Sequence, residues 1–96
     1  MGYSIEFEAD ALNDWHKLQS ASRERFKKML AKRLESPRVS SAQVSGFDGN
    51  VYRLKLSSDG LRLIYVVIEE DSVIYVVAVG KREDLSAYRK AKRRLG

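Results

Sequence analysis

Arginine, lysine and tyrosine are the side chains of this sequence that are arranged for chemistry. Arg53 and Lys55 stand two apart in an alternating segment, so they share a face opposite Tyr52, Leu54 and Leu56. Arg62 follows a Ser58-Asp59-Gly60 turn and leads an apolar row of Ile64, Val66 and Ile68. Arg82 leaves the end of a further apolar segment, and Tyr88 lies six residues beyond it. Four cations and one phenol can thus converge on one sheet surface. The chemistry open to them is neutralisation of an anion, for which the planar arginine fork is suited because it can hold two phosphate oxygens. A plainer reading is that Arg53 and Lys55 only keep one sheet face soluble. Arg62 weakens it, because a cation at the head of an apolar row calls for a partner.

Other chemistries are poorly served. There is no cysteine, which removes disulfides, zinc fingers, thiol nucleophiles and iron–sulfur clusters. The single histidine, His16, sits in a helical stretch between Trp15 and Lys17 and reads as a surface or satisfied side chain. No cluster has metal-ligand spacing, and the acids Glu69-Glu70-Asp71 read as a solvated turn. No glycine-rich loop precedes a helix, so no nucleotide cofactor is indicated; neither metal nor cofactor is expected.

The 96 residues suffice for one domain, 44% of them hydrophobic and 32% charged. Eighteen Lys and Arg against 13 Asp and Glu give a net charge of +5, which suits nucleic acid, an anionic membrane or an acidic protein. Residues 21–38 and 81–96 each carry seven basic and two acidic side chains. No apolar run approaches a membrane span, and the acidic, alternating N-terminus is unlike a signal peptide, so a cytoplasmic protein without a membrane partner is expected.

These residues need elements to hold them. Tyr3, Ile5 and Phe7 alternate as in a half-buried strand. Asp10 is placed to cap a short helix bearing Leu12, Trp15 and Leu18, and Ser20 or Ser22 to cap a second helix with Phe26, Met29, Leu30 and Leu34 on one stripe. Pro37 ends that helix at Ser36. Residues 38–49 read as a loop. Three strands follow: Val51–Ser57, Leu61–Glu69 after a hairpin turn, and the almost wholly apolar Val73–Val79, which Gly80 ends. Asp84 or Ser86 then caps a last helix whose Leu85, Tyr88, Ala91, Lys92 and Leu95 share a side, a thin apolar face that predicts weak packing. The order β-α-α-β-β-β-α predicts an α+β fold: a mainly antiparallel sheet packed by two N-terminal helices, with a C-terminal helix.

The opening Y-x-I-x-F, the segment ALNDWHKL, the helix end LESPR, the strand pair YRLKLSSDGLRLIY, and VVAVGKRED followed by a helix with Tyr88 carry a resemblance along the whole chain. The sequence resembles the RelE-type toxins of the RelE/ParE toxin–antitoxin superfamily. The resemblance implies one RelE-like domain over residues 1–96. It implies a metal-independent endoribonuclease that cuts messenger RNA in the ribosomal A site and is neutralised by a RelB-like antitoxin, expected to present an acidic helical segment. Lys55 matches the family's proposed general base for the ribose 2′-hydroxyl. Arg62 matches the arginine that stabilises the phosphorane, Arg82 the arginine that assists the leaving 5′-oxygen, and Tyr88 the tyrosine that orients the message. Arg53, Lys81 and Arg89 are expected to bind RNA. Two positions depart from the pattern: Arg53 stands where relatives have a second lysine, and Ser45 where they often have an arginine. Two alternatives stand beside this reading: a gyrase-binding toxin of the ParE branch, and a basic nucleic-acid-binding module without enzymatic activity.

Overall fold

In the computed structural model, which describes residues 2–47, 49–82 and 85–95, the alternating N-terminal segment is edge strand β1 (Ser4–Phe7). Two helices follow, α1 (Ala9–His16) and α2 (Ser20–Glu35). Strands β2 (Val51–Leu56), β3 (Leu61–Ile68) and β4 (Val73–Lys81) form an antiparallel meander, and α3 (Ser86–Leu95) closes the chain. β1 joins the meander parallel to β4, giving the sheet order β1-β4-β3-β2 and half-burying its apolar side chains against the core, as expected. The α+β class and the element order agree with the sequence reading. Among the described residues no helix is long and apolar enough to cross a membrane.

The sheet is covered on both faces. On one, Trp15 of α1 and Phe26 and Leu30 of α2 pack on Leu54, Leu63, Tyr65 and Val76. Trp15 is the hinge of this layer, its ring centre 5.3 Å from Phe7 and 6.1 Å from Phe26. On the other, Ala87 and Ala91 of α3 pack on Ile64, Val77 and Ala78.

Local chemistry differs from expectation at several helix ends. Glu8, not Asp10, caps α1: its carboxylate accepts from the Ala11 amide at 2.8 Å, while Asp10 lies in the first turn, where a negative charge favours the helix dipole. Neither Ser20 nor Ser22 caps α2; its cap is Gln19, without a side-chain bond. Ser22 is buried and donates instead to Asp59, because the β2–β3 turn folds onto the helix there. The stop before Pro37 is as expected, with Ser36 as C-cap. Within residues 38–49 there is more order than a loop: a 3₁₀ turn at Ser40–Ala42 and a bridge from Gln43 to Tyr52.

Gly80 does not end the third strand. It lies inside β4 opposite Arg62, and a Cβ there would collide with Ser86 Oγ and sit 2.8 Å from the Ala87 nitrogen. The missing side chain lets α3 start against the sheet. The inward side of α3 also differs from expectation. Leu85 and Leu95 are exposed, whereas Ala87 and Ala91 are buried. Leu85 precedes the helix in a left-handed conformation, φ +58°, so the helical phase begins after it. Asp84, one of the expected caps, lies outside the described residues; Ser86 lies in the helix, its hydroxyl accepting from the Lys81 amide at 3.1 Å.

Nor is α3 held weakly. A register shift beyond Ile64 leaves Val77 without a β3 partner, and β1 ends opposite Val76, so the edge of β4 from Val77 to Val79 is bare. Side chains cover it. Arg94 donates to the Val77 carbonyl at 2.8 Å, Lys90 to the Val79 carbonyl at 3.1 Å, and Asp14 accepts from the Val79 amide at 3.4 Å. Asp14 also pairs with Arg94 at 2.8 Å and Lys90 at 3.2 Å. The helix is thus fastened by ions over a small-residue contact.

Candidate active site

The hairpin sets the centre of the site. Lys55 and Arg62 are direct cross-strand partners, and Arg53 stands opposite Ile64 of the α3-side core, so all three rise from the face that carries α3. The turn between them, a 3₁₀ turn at Ser57–Asp59 closed by left-handed Gly60, is pinned to α2. Asp59 takes the Ser22 hydroxyl and both its oxygens take Arg25 Nη1, at 2.8 and 2.9 Å. The Ser22 and Ser58 hydroxyls and the Arg25 charge hold its carboxyl below the ordinary carboxylate range.

Arg62 is half-buried. Its guanidinium carbon lies 5.1 Å from the centre of the Tyr88 ring, a cation–π contact across the gap that Gly80 leaves open. Its Nε is buried with no hydrogen-bond partner among the described residues. Arg82 continues the β4 ladder by one bond, its amide donating to the Gly60 carbonyl at 2.8 Å, and its side chain is exposed. Lys55 is exposed as well. Among the described residues no carboxylate pairs with Lys55, Arg62, Arg82 or Arg89, whereas Arg25, Arg38, Lys90 and Arg94 elsewhere all have one.

The structure brings together Lys55, Arg62 and Tyr88, with Arg82 at the strand end. Lys81 is not on this side: it pairs with Leu61, which packs on the α1/α2 core, so the register sends Lys81 to the opposite face. Arg53 is occupied. Its two terminal nitrogens donate to the Gln43 and Ser41 carbonyls at 3.2 and 3.4 Å, tying the preceding loop to β2. Arg89 is exposed beside Tyr88 and lines an open groove of about 510 Å³ between that loop and α3. Phe47 lines the same groove and escaped the sequence reading, because the loop has no periodicity to mark a ring as anything but filler. Among the described residues, no group of three or more His, Asp or Glu side chains is placed to hold a metal ion.

Comparison with known proteins gives a consistent picture. A family model described as the ParE toxin of the type II toxin–antitoxin system parDE matches residues 5–85. The mRNA interferase toxin RelE of Escherichia coli K12 is 43% identical over 95 residues, 99% of either chain. A solved free-state mutant of E. coli RelE superposes with a TM-score of 0.90 at 42% identity, covering all of both chains. The E. coli RelE mutant solved with a peptide of its antitoxin RelB gives 0.82 at 43% identity, covering 95% of each chain.

Proposed function

The chain belongs to the RelE-type toxins of the RelE/ParE family, and from that premise we propose that it is an endoribonuclease that cuts messenger RNA on the ribosome. The observation that carries this reading is Arg62. A buried, unpartnered guanidinium donor costs about 1–3 kcal/mol, and a protein keeps such a group where a ligand completes it. Lys55 directly across the ladder, Arg82 at the strand end and the Tyr88 ring surround it with groups suited to a nucleotide phosphate.

In this mechanism the ribose 2′-hydroxyl attacks its own 3′-phosphorus. Lys55, in its unprotonated form, takes the 2′ proton. Arg62 neutralises the two equatorial oxygens as charge builds on them. The bond from phosphorus to the 5′-oxygen breaks, leaving a 2′,3′-cyclic phosphate, and Arg82 stabilises the departing oxygen, which takes its proton from water. Arginine does not give up a proton near neutral pH, so its part is electrostatic. Tyr88 orients a base. The partners in this reading are messenger RNA, the ribosomal A site and a RelB-like antitoxin with an acidic helical segment, all in the cytoplasm.

The test is cleavage of ribosome-bound message by purified protein, followed by primer extension. Wild type is expected to cut within the A-site codon and Arg82→Ala to lose that cut. Intact message with wild type, or equal cutting by the variant, defeats the proposal. Inhibition of gyrase by the same preparation would point to the ParE branch instead.

A further inference from the structure

The groove beside Tyr88 has features that the cleavage centre does not use. Its walls are Gln43 and Val44 of the loop, Arg53 of β2, and Tyr88 and Arg89 of α3, with Phe47 at its border. Its volume, about 510 Å³, falls within the roughly 300–1,000 Å³ of small-ligand sites. Phe47 is half-buried and is the one aromatic side chain in residues 38–50. The ring is held in place. Lys92 of α3 donates to the Gly46 carbonyl at 2.7 Å and sits 4.7 Å from the Phe47 ring centre. Gln43 donates to the Gly49 carbonyl at 2.9 Å, and Arg53 grips the start of the loop from below. Side chains from β2 and α3, with Gln43 of the loop itself, thus fix a short loop and present one ring.

We propose that Phe47 is a second base-stacking platform, and that this groove takes one unpaired nucleobase of single-stranded RNA next to the nucleotide oriented by Tyr88. The proposal rests on the nuclease reading above. Three features favour RNA over a peptide or an apolar small molecule. The groove is continuous with Tyr88, whose ring also contacts Arg62. Arg89, at its edge, has no side-chain partner among the described residues and is free to meet a phosphate. No carboxylate among the described residues lines it, and the charged side chains that do are Arg53, Arg89 and Lys92. An aromatic ring bordered by cations is the arrangement that binds single strands, by stacking and phosphate contact.

Phe47 also packs on the α3-side core, so its removal could act through stability alone. Phe47→Leu keeps the apolar volume and removes the π face; Phe47→Trp enlarges that face. The probe is a short RNA oligonucleotide carrying a 2′-O-methyl group at the cleavage position, titrated to millimolar concentration against the full chain and followed by fluorescence anisotropy. Phe47→Leu is expected to weaken binding about tenfold, within the range for loss of one stacked base, with the melting temperature unchanged. Phe47→Trp is expected to restore it. On ribosomes, Phe47→Leu is expected to alter the spread of cleavage among codons at one base position. Wild-type binding and codon spread in Phe47→Leu overturn the platform, as does a wild-type protein that binds no oligonucleotide. A wild-type protein that binds the oligonucleotide with Phe47 dependence but cuts no message would refute the nuclease and leave the platform standing.

Discussion

At the scale of residues, the site divides into side chains that meet the ligand and side chains that hold others in place. Arg62 and Arg82 are of the first kind. Replacing either with alanine is expected to lower cleavage by about 10²-fold or more, the usual effect of deleting one transition-state donor. The measurement is single-turnover cutting of ribosome-bound message, with a melting curve to confirm folding. Arg62→Lys tests geometry rather than charge: an ammonium keeps the cation but cannot present a two-oxygen fork, so it should recover little of the loss. Recovery to near the wild-type rate would mean that charge alone suffices. Arg53 is of the second kind, because its fork is engaged with the Gln43 and Ser41 carbonyls. A lysine there reaches one carbonyl at most. Arg53→Lys is therefore expected to raise amide exchange across residues 41–47 while cleavage falls only a few-fold, and unchanged exchange would remove its tethering role. The meeting of Lys55 with Arg62 was legible in the sequence, since the Asp59-Gly60 turn fixes the hairpin register and alternation fixes the face. The occupation of Arg53 was not, because its acceptors are backbone carbonyls of a loop, and carbonyls carry no sequence signal.

At the scale of elements, what positions Tyr88 is the docking of α3, and this was the part of the fold least legible in the sequence. Helical periodicity marks apolar stripes, but α3 is fastened by Lys90 and Arg94, which pattern reading assigns to solvent. They are engaged on β4 because β1 ends opposite Val76 and β4 shifts its register next to it, features of strand pairing that one strand's sequence does not reveal. Burial pushes the Asp14 carboxyl up, but the bonds from Arg94 and Lys90 outweigh it and hold the group below its ordinary value. A carboxyl lowered on folding contributes stability above its unfolded pKa and loses it as pH falls through the folded one. The α3 anchor should therefore be complete near neutrality and fail only on acidification below the ordinary carboxylate range. Asp14→Asn should remove this pH dependence and cost about 3 kcal/mol, the low end for breaking a buried pair because Lys90 reaches solvent. Acid titration of the melting temperature in both proteins checks it; parallel curves would show that the anchor lies elsewhere. Gly80→Ala probes the same docking from the other side. The added methyl meets Ser86 and Ala87, an overpacking of about 1–3 kcal/mol that pushes α3 outward. Its signature is loss of cleavage out of proportion to loss of stability, because Tyr88 moves with the helix.

At the scale of the whole molecule, the two basic segments lie on opposite faces of one sheet, residues 21–38 mainly in α2 and residues 81–96 mainly in α3. Net charge counts every cation, but many are already engaged: Arg25 with Asp59, Arg38 with Glu69, and Lys90 and Arg94 with Asp14. Two groups stand out among those that remain without an ion pair among the described residues. Lys55, Arg62, Arg82 and Arg89 gather at the site, while Lys28 and Lys32 are exposed on α2. A short RNA oligonucleotide can touch only one face, so its salt dependence reports the first group alone. Each phosphate neutralised on a single strand contributes about −0.7 to the slope of log affinity against log salt, so the four site cations should give about −3. Arg89→Ala should flatten that slope by about 0.7, whereas Lys28→Ala and Lys32→Ala together should leave it unchanged. On the ribosome, where folded RNA can surround the protein, the same α2 variant should flatten the slope of association, because both faces then meet phosphate. Equal effects of the α2 variant on the oligonucleotide and on the ribosome would mean that the two basic faces do not act separately. A measured oligonucleotide slope near zero would mean that the cations at the site bind something other than a phosphate chain.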